Sequence, residues 1–517
     1  MLACLRTAAV FGVEACPVHV EVDVGFGFPS FTMVGLPDAS VRESRDRVRS
    51  AIRNSGFEFP PHRVTVNLAP ADVRKAGASF DLPIALGILA ASGVVERRLI
   101  ADVVLLGELS LDGSIHATRG VLPIAVAARR DGLSGILLPA GNAGEAAIVS
   151  GLEIIAVSSL GDAVRALNDP AGFRAAGPAV PAYPAHPALP AHAAHPGLPA
   201  PRGLPDLADV RGQLLARRAL EVAAAGGHNL LLVGPPGAGK TMMARRVSGI
   251  LPPLSFEEAL EVTAIHSVVG LLPTGGGLLT ERPFRSPHHT ISNAALIGGG
   301  SLPRPGEVSL AHHGVLFLDE MLEFSRHVLE VLRQPLEEGR VAVARAARTA
   351  VFPARFMLVG AMNPCPCGFA GDPSRECRCP PPTMARYRDR LSGPLRDRLD
   401  LTVEVPALPL DALSADGRGE SSADVRARVV SARRRQAARY ADDAIFTNSE
   451  LTPALMARHC VIDRAAQRVL RAAMARLSLS ARGYDRVRKV GRTIADLAGD
   501  ERLGTDHIAE ALQFRMV

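Results

Sequence analysis

The sequence of 517 residues has no tryptophan, only four tyrosines and only seven cysteines. It also has no apolar run long enough to cross a membrane. The longest run, Leu82 to Val95, is interrupted by one proline and two glycines, whereas a spanning helix needs about 20 apolar residues. The residues MLACLRTAAVFG lack the charged start and the long apolar stretch of a secretory signal. We therefore expect a cytoplasmic protein with no membrane partner, rather than a disulfide-stabilised secreted one.

The sequence is rich in apolar residues and slightly basic. Apolar residues make up 47% of the chain, enough for several hydrophobic cores, and the length corresponds to roughly two to four domains. The formal net charge is +6, and arginines cluster at 386–398 and at 426–439. This charge permits a polyanionic partner such as nucleic acid, but arginines on a solvated helix face give the same pattern.

Composition along the chain predicts four segments. The first alternates strand-like runs, such as Val64–Leu68 and Glu153–Val157, with helix-like runs such as Val41–Ser55. The second is rich in proline, alanine and histidine, a composition typical of an extended linker that buries no core. The third carries the motifs described below, and the fourth is mostly helical. The predicted boundaries are 1–168, 169–203, 204–410 and 411–517.

The most informative segment is GPPGAGKT, which follows the apolar run Leu230–Val233 and precedes a helix-like segment. A strand, a glycine-rich loop and a helix in this order form a phosphate-binding loop, whose backbone N–H groups bind phosphate oxygens. Lys240 is predicted to reach the β- and γ-phosphates of ATP, and Thr241 to ligate Mg²⁺. The complete match disfavours a simple turn. The predicted nucleotide-binding residues are Gly234, Pro235, Pro236, Gly237, Ala238, Gly239, Lys240 and Thr241.

Two further strand-like runs end in polar residues that suit phosphoryl transfer. The run VLFLDE ends in Asp319, predicted to hold Mg²⁺, and Glu320, predicted to orient and polarise the attacking water. The run Phe356–Ala361 leads to Asn363, which we predict to sense the γ-phosphate. A buried strand followed by a helix-capping aspartate is the alternative for the first run. Together with the phosphate-binding loop, these residues resemble those of AAA+ ATPases.

Other segments resemble the magnesium-chelatase-like branch of AAA+ proteins. The segments RPFRSPHHTIS (282–292) and PRPGEVSLAHHG (303–314) are similar to segments of this branch, which inserts a loop into its second core helix, and the loop points at a central pore. We interpret the adjacent His288 and His289 as structural polar residues rather than as metal ligands.

The resemblance also assigns roles to arginines near the end of the core and in the lid. SGPLRDRLDL (392–401) resembles the segment that supplies an arginine finger to a neighbouring subunit, with Arg398 as the better match and Arg396 as the second. LSARGYDRVRKVGRTIADL resembles a lid helix whose second sensor, which reads the nucleotide state, falls at Arg482. An arginine finger stabilises transition-state charge and requires an oligomer. Solvated surface arginines are the alternative.

The segment NPCPCGFAGDPSRECRCP contains four of the seven cysteines, as two CxC pairs: Cys365, Cys367, Cys377 and Cys379. Four thiolates can close a tetrahedral Zn²⁺ site, and we favour a structural zinc, with no position open for catalysis. An iron–sulfur cluster and four reduced thiols are the alternatives. Because the cysteines come directly after Asn363 in the sequence, this cluster could brace a subunit contact or touch DNA.

The first 168 residues resemble the proteolytic domain of Lon. The similar segments include KAGASFDLPIA, which contains Ser79 at the position of the nucleophile. The activating lysine of Lon falls at Leu122, and Lys75 lies on the same loop as the serine rather than facing it. A serine without a neighbouring base is a poor nucleophile. We therefore predict an inactive domain that serves assembly or DNA binding.

The whole chain resembles the YifB group of magnesium-chelatase-like AAA+ proteins, for which NPCPCG, DPSRECRC and RPFRSPHHTIS are highly specific. The resemblance implies an α/β multidomain fold: a Lon-like α+β domain, an AAA+ core of the helix-2-insert type and a C-terminal helical lid. It also implies a homohexameric ring, an ATP-dependent helicase that promotes branch migration when transforming single-stranded DNA is integrated. Its partners would be single-stranded and branched DNA, and recombination proteins.

Residues 337–356 predict a β-hairpin that resembles the pore hairpin of MCM-type helicases. Arg345 falls where those proteins carry a pore lysine. We predict that Arg345, Arg348 and Arg304 contact DNA phosphates without reading bases. Exposed arginines with no partner are the alternative.

Three other functions fit parts of the sequence. A metal-chelatase motor uses the same core motifs, but the Lon-like domain, the cysteine cluster and the basic charge disfavour it. A Lon-like ATP-dependent protease is disfavoured by Leu122. A non-catalytic scaffold is disfavoured by the intact Lys240, Glu320 and Arg398.

Overall fold

The computed structural model describes residues 1–73, 75, 77–96, 102–176, 205–273, 276–300, 303–344, 349–372, 375–408, 419–477 and 480–515. The chain forms two compact units, residues 1–188 with 260–279 and residues 189–259 with 280–517. Most of the predicted linker lies outside the described residues, as do Arg345 and Arg348.

The first unit contains a seven-stranded mixed sheet. The strands of that sheet are β1 (Leu2–Phe11), β2 (Glu14–Gly25), β3 (Ser30–Val34), β4 (Arg63–Ala69), β5 (Val103–Leu105), β8 (Gly135–Pro139) and β9 (Glu153–Val157), and β6 (Glu108–Leu109) and β7 (Ile115–His116) form a separate two-stranded sheet. Its helices are α1 (Ala39–Asn54), α2 (Asp81–Ala91), α3 (Val121–Arg130), α4 (Ala143–Ala146), α5 (Leu160–Asn168) and α6 (Pro170–Ala176). The strand order is β3-β4-β2-β1-β5-β8-β9.

Burial in this unit follows the period of each element. In β2 the side chains of Val18, Val20 and Val22 are buried while the residues between them are not, as expected of a sheet with one face against the core. Helix α2 is apolar on all sides, and every one of its residues is buried. Strand β1 was not predicted from the sequence, although it pairs antiparallel with β2 along its whole length.

The second unit contains a five-stranded parallel sheet. The strands of that sheet are β10 (Leu230–Val233), β11 (Phe284–Arg285), β14 (Val315–Leu318), β17 (Met357–Met362) and β18 (Leu401–Glu404). Two separate pairs are formed by β12 (Gly298–Gly299) with β13 (Arg304–Pro305) and by β15 (Arg340–Ala344) with β16 (Thr349–Pro353). The sheet order is β11-β14-β17-β10-β18, and all neighbouring pairs are parallel. The runs LLLV and VLFL are fully buried, which is typical of central parallel strands.

Helices cover this sheet and form the C-terminal part of the unit. They are α7 (Leu214–Gly226), α8 (Lys240–Ile250), α9 (Phe256–Val269, shared by the two units), α10 (Asn293–Ile297), α11 (Glu307–Leu310), α12 (Arg326–Val331), α13 (Arg333–Glu338), α14 (Pro381–Arg388), α15 (Gly393–Arg396), α16 (Ser422–Arg439), α17 (Pro453–His459), α18 (Arg464–Leu477), α19 (Ala481–Ala498) and α20 (Thr505–Gln513). Among the described residues, no helix combines the length and the apolar character needed to traverse a bilayer.

The hairpin predicted within residues 337–356 is present: β15 and β16 pair antiparallel from Arg340 with Pro353 to Ala344 with Thr349. The mostly helical character predicted for the C-terminal segment is also present, in α16 to α20. The mixed α/β fold with a parallel sheet therefore agrees with the prediction.

Candidate active site

The predicted phosphate-binding loop joins the carboxyl end of β10 to the amino end of α8, at the sheet edge where ligands bind in parallel α/β folds. Gly237 and Gly239 have φ angles of +79° and +90°, which residues with a side chain rarely adopt. A Cβ at Gly234 would collide with the carbonyl group of Val405. Gly237 and Gly239 therefore shape the turn, and Gly234 permits the close approach of the loop to the backbone of Val405.

Lys240, the first residue of α8, is buried and bonded within the chain. Its Nζ donates to the carbonyl oxygens of Gly234 at 2.7 Å and Pro235 at 2.8 Å, and to Oδ1 of Asn363 at 3.1 Å. Burial lowers the pKa of Lys240, and the nearby carboxylates of Asp319 and Glu320 oppose this shift. The ammonium thus has three oxygen partners that phosphate oxygens would replace.

The two residues predicted to bind Mg²⁺ lie together. The hydroxyl of Thr241 donates to Oδ2 of Asp319 at 2.7 Å, because β10 and β14 flank β17 in the sheet and both end at the same edge. Oxygen ligands of this kind, together with phosphate oxygens, are those that Mg²⁺ prefers. The donor set therefore fits the ion.

Glu320 has a φ angle of +48°, which is uncommon for a residue other than glycine. Its side chain is 63% exposed, and Oε2 lies 4.0 Å from Nδ1 of His289. The rings of His289 and His288 have centroids 4.1 Å apart. His289, interpreted from the sequence as a structural polar residue, thus faces the predicted catalytic glutamate.

The predicted metal-binding cysteines also lie together. The Sγ atom of Cys365 is 3.3 Å from that of Cys367 and 3.6 Å from that of Cys377, and the four Sγ atoms lie within 4.8 Å of one another. Zn–S bonds of 2.3 Å in a tetrahedron place sulfur atoms about 3.8 Å apart. Hydrogen bonds from the Phe369 amide and from the Cys365 thiol lower the pKa of Cys367, whereas the pKa values of Cys377 and Cys379 in the same cluster are raised. The cluster therefore fits a tetrahedral metal ion.

The cysteine loop packs against the phosphate-binding loop. Gly368 has a φ angle of +87°, and a Cβ there would lie 2.5 Å from Cδ of Pro236. Only glycine permits this approach. The cysteine cluster therefore adjoins the nucleotide-binding residues in space as well as Asn363 in sequence.

Arg398 lies at the amino-terminal ends of the parallel strands, opposite the end that carries the phosphate-binding loop. It precedes the amino end of β18, which is parallel to β10, whereas the phosphate-binding loop follows the carboxyl end of β10. A strand of four residues is about 13 Å long. The guanidinium contacts Glu337, and its Nε has no hydrogen-bond partner among the described residues. Burial, and then the nearby cations, lower the pKa of Arg398. Arg396 is exposed.

Arg482 lies with Arg398 rather than with the phosphate-binding loop. Nη1 of Arg482 is 3.4 Å from Oδ2 of Asp397, and Arg486 lies 3.8 Å from both Asp397 and Asp400. These residues line one cavity of about 650 Å³. The second predicted sensor is therefore not beside Lys240 of its own chain.

The remaining predicted residues are more scattered. Arg304 is exposed on β13, in a short hairpin with β12. In the first unit, the backbone N–H of Leu122 donates to Glu145, and Lys75 is buried with its ammonium bonded to the carbonyl of Pro70. Asn229 was not predicted from the sequence; its signal there is a polar residue directly before the apolar run of β10.

The fold and this site define a P-loop protein of the magnesium-chelatase-like AAA+ class. Family matches agree: residues 206–413 match "Magnesium chelatase, subunit ChlI", 20–142 match "Subunit ChlI of Mg-chelatase" and 419–515 match the ChlI C-terminal family. The chain belongs to the family of the YifB and ComM proteins, which confirms the resemblance seen in the sequence.

Two relatives align over nearly the whole chain. Competence protein ComM of Haemophilus influenzae is 43% identical over 99% of this chain and 97% of its own length. The YifB protein of Escherichia coli is 42% identical over 100% of this chain and 97% of its own. By contrast, the magnesium-chelatase 38 kDa subunit of Rhodobacter capsulatus is 26% identical over 26% of this chain and 43% of its own.

Proposed function

We propose that this protein is an ATP-driven DNA motor that promotes branch migration of recombination intermediates, as in the integration of transforming single-stranded DNA. The observation that carries the proposal is the full-length similarity to a competence protein. In the same chain Lys240 donates a hydrogen bond to Asn363, and Thr241 donates one to Asp319. The net charge of +6 suits a polyanionic partner.

The site suits hydrolysis of the terminal phosphoanhydride bond of ATP. Backbone N–H groups of the loop and Lys240 would bind the phosphates, and Asn363 would contact the γ-phosphate. Mg²⁺ held by Thr241 and Asp319 would neutralise phosphate charge. Glu320 would orient a water molecule and accept its proton as the water oxygen bonds to the γ-phosphorus. The bond to the bridging oxygen breaks, and ADP and phosphate leave.

Arg398 and Arg482 would act on the nucleotide of a neighbouring subunit. Both lie away from the phosphate-binding loop of their own chain, and Nε of Arg398 has no hydrogen-bond partner in the described part of the chain. An arginine finger placed in this way completes the site only between subunits. This supports a ring in which each chain contributes its loop to one interface and its arginines to the other, and the ring would be a homohexamer.

The other parts have supporting roles in this proposal. The cysteine cluster would hold a structural Zn²⁺. The Lon-like segment would be inactive and serve assembly, since Leu122 replaces the activating lysine. Arg304, Arg345 and Arg348 would contact DNA phosphates, and the protein would work in the cytoplasm with recombination proteins.

A magnesium-chelatase motor is the second candidate, because the matching families carry the name of that enzyme. The chelatase subunit aligns with only 26% of this chain, whereas ComM aligns with 99%. The difference in coverage favours the DNA motor.

The test is an ATP-dependent branch-migration assay on a labelled three- or four-stranded DNA junction. The wild-type protein is expected to displace the labelled strand, and Lys240→Ala to displace none, since it lacks the ammonium that binds the β- and γ-phosphates. The DNA motor would be refuted if the wild-type protein displaced no strand and DNA did not change its rate of ATP hydrolysis. Its ATPase would then be measured with porphyrin.

Zinc is tested by metal analysis of the purified chain. We expect about one zinc ion per chain, as in other four-cysteine sites, and its loss in Cys377→Ser. Cys4→Ser, which changes an exposed cysteine of the first unit, should retain the metal. Metal-free protein with four freely titrating thiols would contradict this assignment, and iron with visible absorbance would indicate an iron–sulfur cluster instead.

A further inference from the structure

We propose that Asn229 is a positioning residue that holds Arg398 in place for the neighbouring subunit. The inference rests on the proposed ATP hydrolysis but not on the DNA substrate. Asn229 directly precedes β10, at the amino edge of the parallel sheet. This is the edge where Arg398 lies, and it is opposite the phosphate-binding loop.

The side chain of Asn229 links β17 to the segment that precedes β18. Its Nδ2 donates to the carbonyl oxygen of Arg398 at 2.9 Å, and its Oδ1 accepts from the N–H of Leu358 in β17 at 2.8 Å. Its backbone is tied to Asp400, whose N–H donates to the Asn229 carbonyl oxygen at 2.9 Å and whose Oδ2 accepts from the Asn229 N–H at 3.2 Å. The segment that carries Arg398 is therefore bonded to the strands on its inner side.

An amide is the side chain that this geometry requires. One bond needs a donor and the other an acceptor on the same short side chain, and an ionised aspartate has no donor. The donor bond ends on the carbonyl oxygen of Arg398 itself. In the same segment, Asp397 lies beside Arg482 and Asp400 lies beside Arg486. The amide of Asn229 therefore restrains the segment that carries Arg398 and contacts Arg482, the two arginines predicted to act on a neighbouring subunit.

The two strands that Asn229 joins to Arg398 lead to the nucleotide-binding edge. Strand β10 continues into the phosphate-binding loop, and β17 ends next to Asn363. Arg398 would act at one subunit interface, and the phosphate-binding loop would lie at the other. Asn229 therefore fixes the position of Arg398 relative to the strands that lead to that loop. A misplacement of about 1 Å at a reacting centre can cost about 100-fold in rate, so loss of this restraint should act on turnover.

The test compares Asn229→Asp with the wild type. Aspartate keeps the acceptor for Leu358 and removes the donor to Arg398, so the strands stay joined. We expect kcat for ATP to fall about 10- to 100-fold with little change in KM, because the variant's own phosphate-binding loop is intact. The double variant Asn229→Asp/Arg398→Ala should be no slower than Arg398→Ala alone, since both changes remove one interaction.

Mixed assemblies separate positioning from a general structural defect. Glu320→Gln subunits keep Arg398 and can serve a neighbouring Asn229→Asp site. In a one-to-one mixture about a quarter of ring interfaces combine the two intact halves, so activity should rise well above that of either variant. Asn448→Ala, which removes a buried asparagine with three side-chain hydrogen bonds, should lower the unfolding temperature without such rescue.

Three results would overturn the inference: a raised KM at unchanged kcat, additive losses in the double variant, or no recovery in the mixture. If the wild-type protein hydrolyses ATP but moves no DNA, only the DNA proposal fails and these measurements stand. If the wild-type protein hydrolyses no ATP, the ATPase proposal fails and this inference fails with it.

Discussion

Glu320→Gln is expected to abolish most ATP hydrolysis while leaving ATP binding intact. The amide keeps the size of the side chain but cannot accept the proton of the attacking water, and a lost general base costs about 10²- to 10⁴-fold in rate. The carboxylate is 63% exposed, so its neutralisation leaves no buried group unpaired. Phosphate release and binding of a fluorescent ATP analogue, measured on the same preparation, would show the two effects separately.

Glu323→Gln is the matched control for this variant. Glu323 lies three residues away in the turn that follows β14, and its side chain is 45% exposed beside Arg390. We expect its hydrolysis rate to stay within a few-fold of the wild type, as is usual for surface changes. Equal losses in the two variants would argue that the turn, rather than the carboxylate of Glu320, matters for turnover.

Arg398→Ala is expected to lower kcat by about 10³- to 10⁵-fold, the range measured for arginine fingers. The affinity for ATP should change little, because the arginine lies at the sheet edge away from its own phosphate-binding loop. Steady-state hydrolysis and equilibrium ATP binding would test both parts. Mixing with Glu320→Gln subunits should restore activity, since each variant supplies the half-site that the other lacks.

Arg396→Ala discriminates between the two arginines that match the motif. Arg396 is exposed on α15, two residues before Arg398, and its loss should be mild. A larger loss in Arg396→Ala than in Arg398→Ala would reassign the finger. If mixing with Glu320→Gln subunits does not restore ATP hydrolysis to Arg398→Ala, then Arg398 acts within its own subunit.

Local sequence was sufficient to predict the elements around the nucleotide-binding loop. The run LLLV, the glycines and Lys240 are adjacent in sequence, and the burial of β10 and the positive φ angles at Gly237 and Gly239 follow from that pattern. The contact between Lys240 and Asn363 was not predicted; it arises because neighbouring parallel strands end at one edge of a sheet.

Residues whose partners are distant in sequence could not be predicted in this way. The partners of Asn229 lie 129 and 169 residues further along the chain, and nothing in HNLLLV identifies them. Arg482 was predicted from a motif to be the second sensor, but its position beside Asp397, 85 residues earlier, depends on how the C-terminal helices pack on the core. Strand β1 was missed because LACLRTAAVF does not alternate strictly between apolar and polar residues.

The contact between Gly368 and Pro236 joins the cysteine loop to the predicted phosphate-binding loop, so the proposed metal site would influence the proposed ATPase. A cluster that loses its metal, or whose thiols are oxidised, would release one wall of the phosphate-binding loop without altering any residue that touches ATP. We therefore expect oxidation of these thiols, or removal of the proposed zinc ion, to slow ATP hydrolysis, and added reductant and metal to restore it.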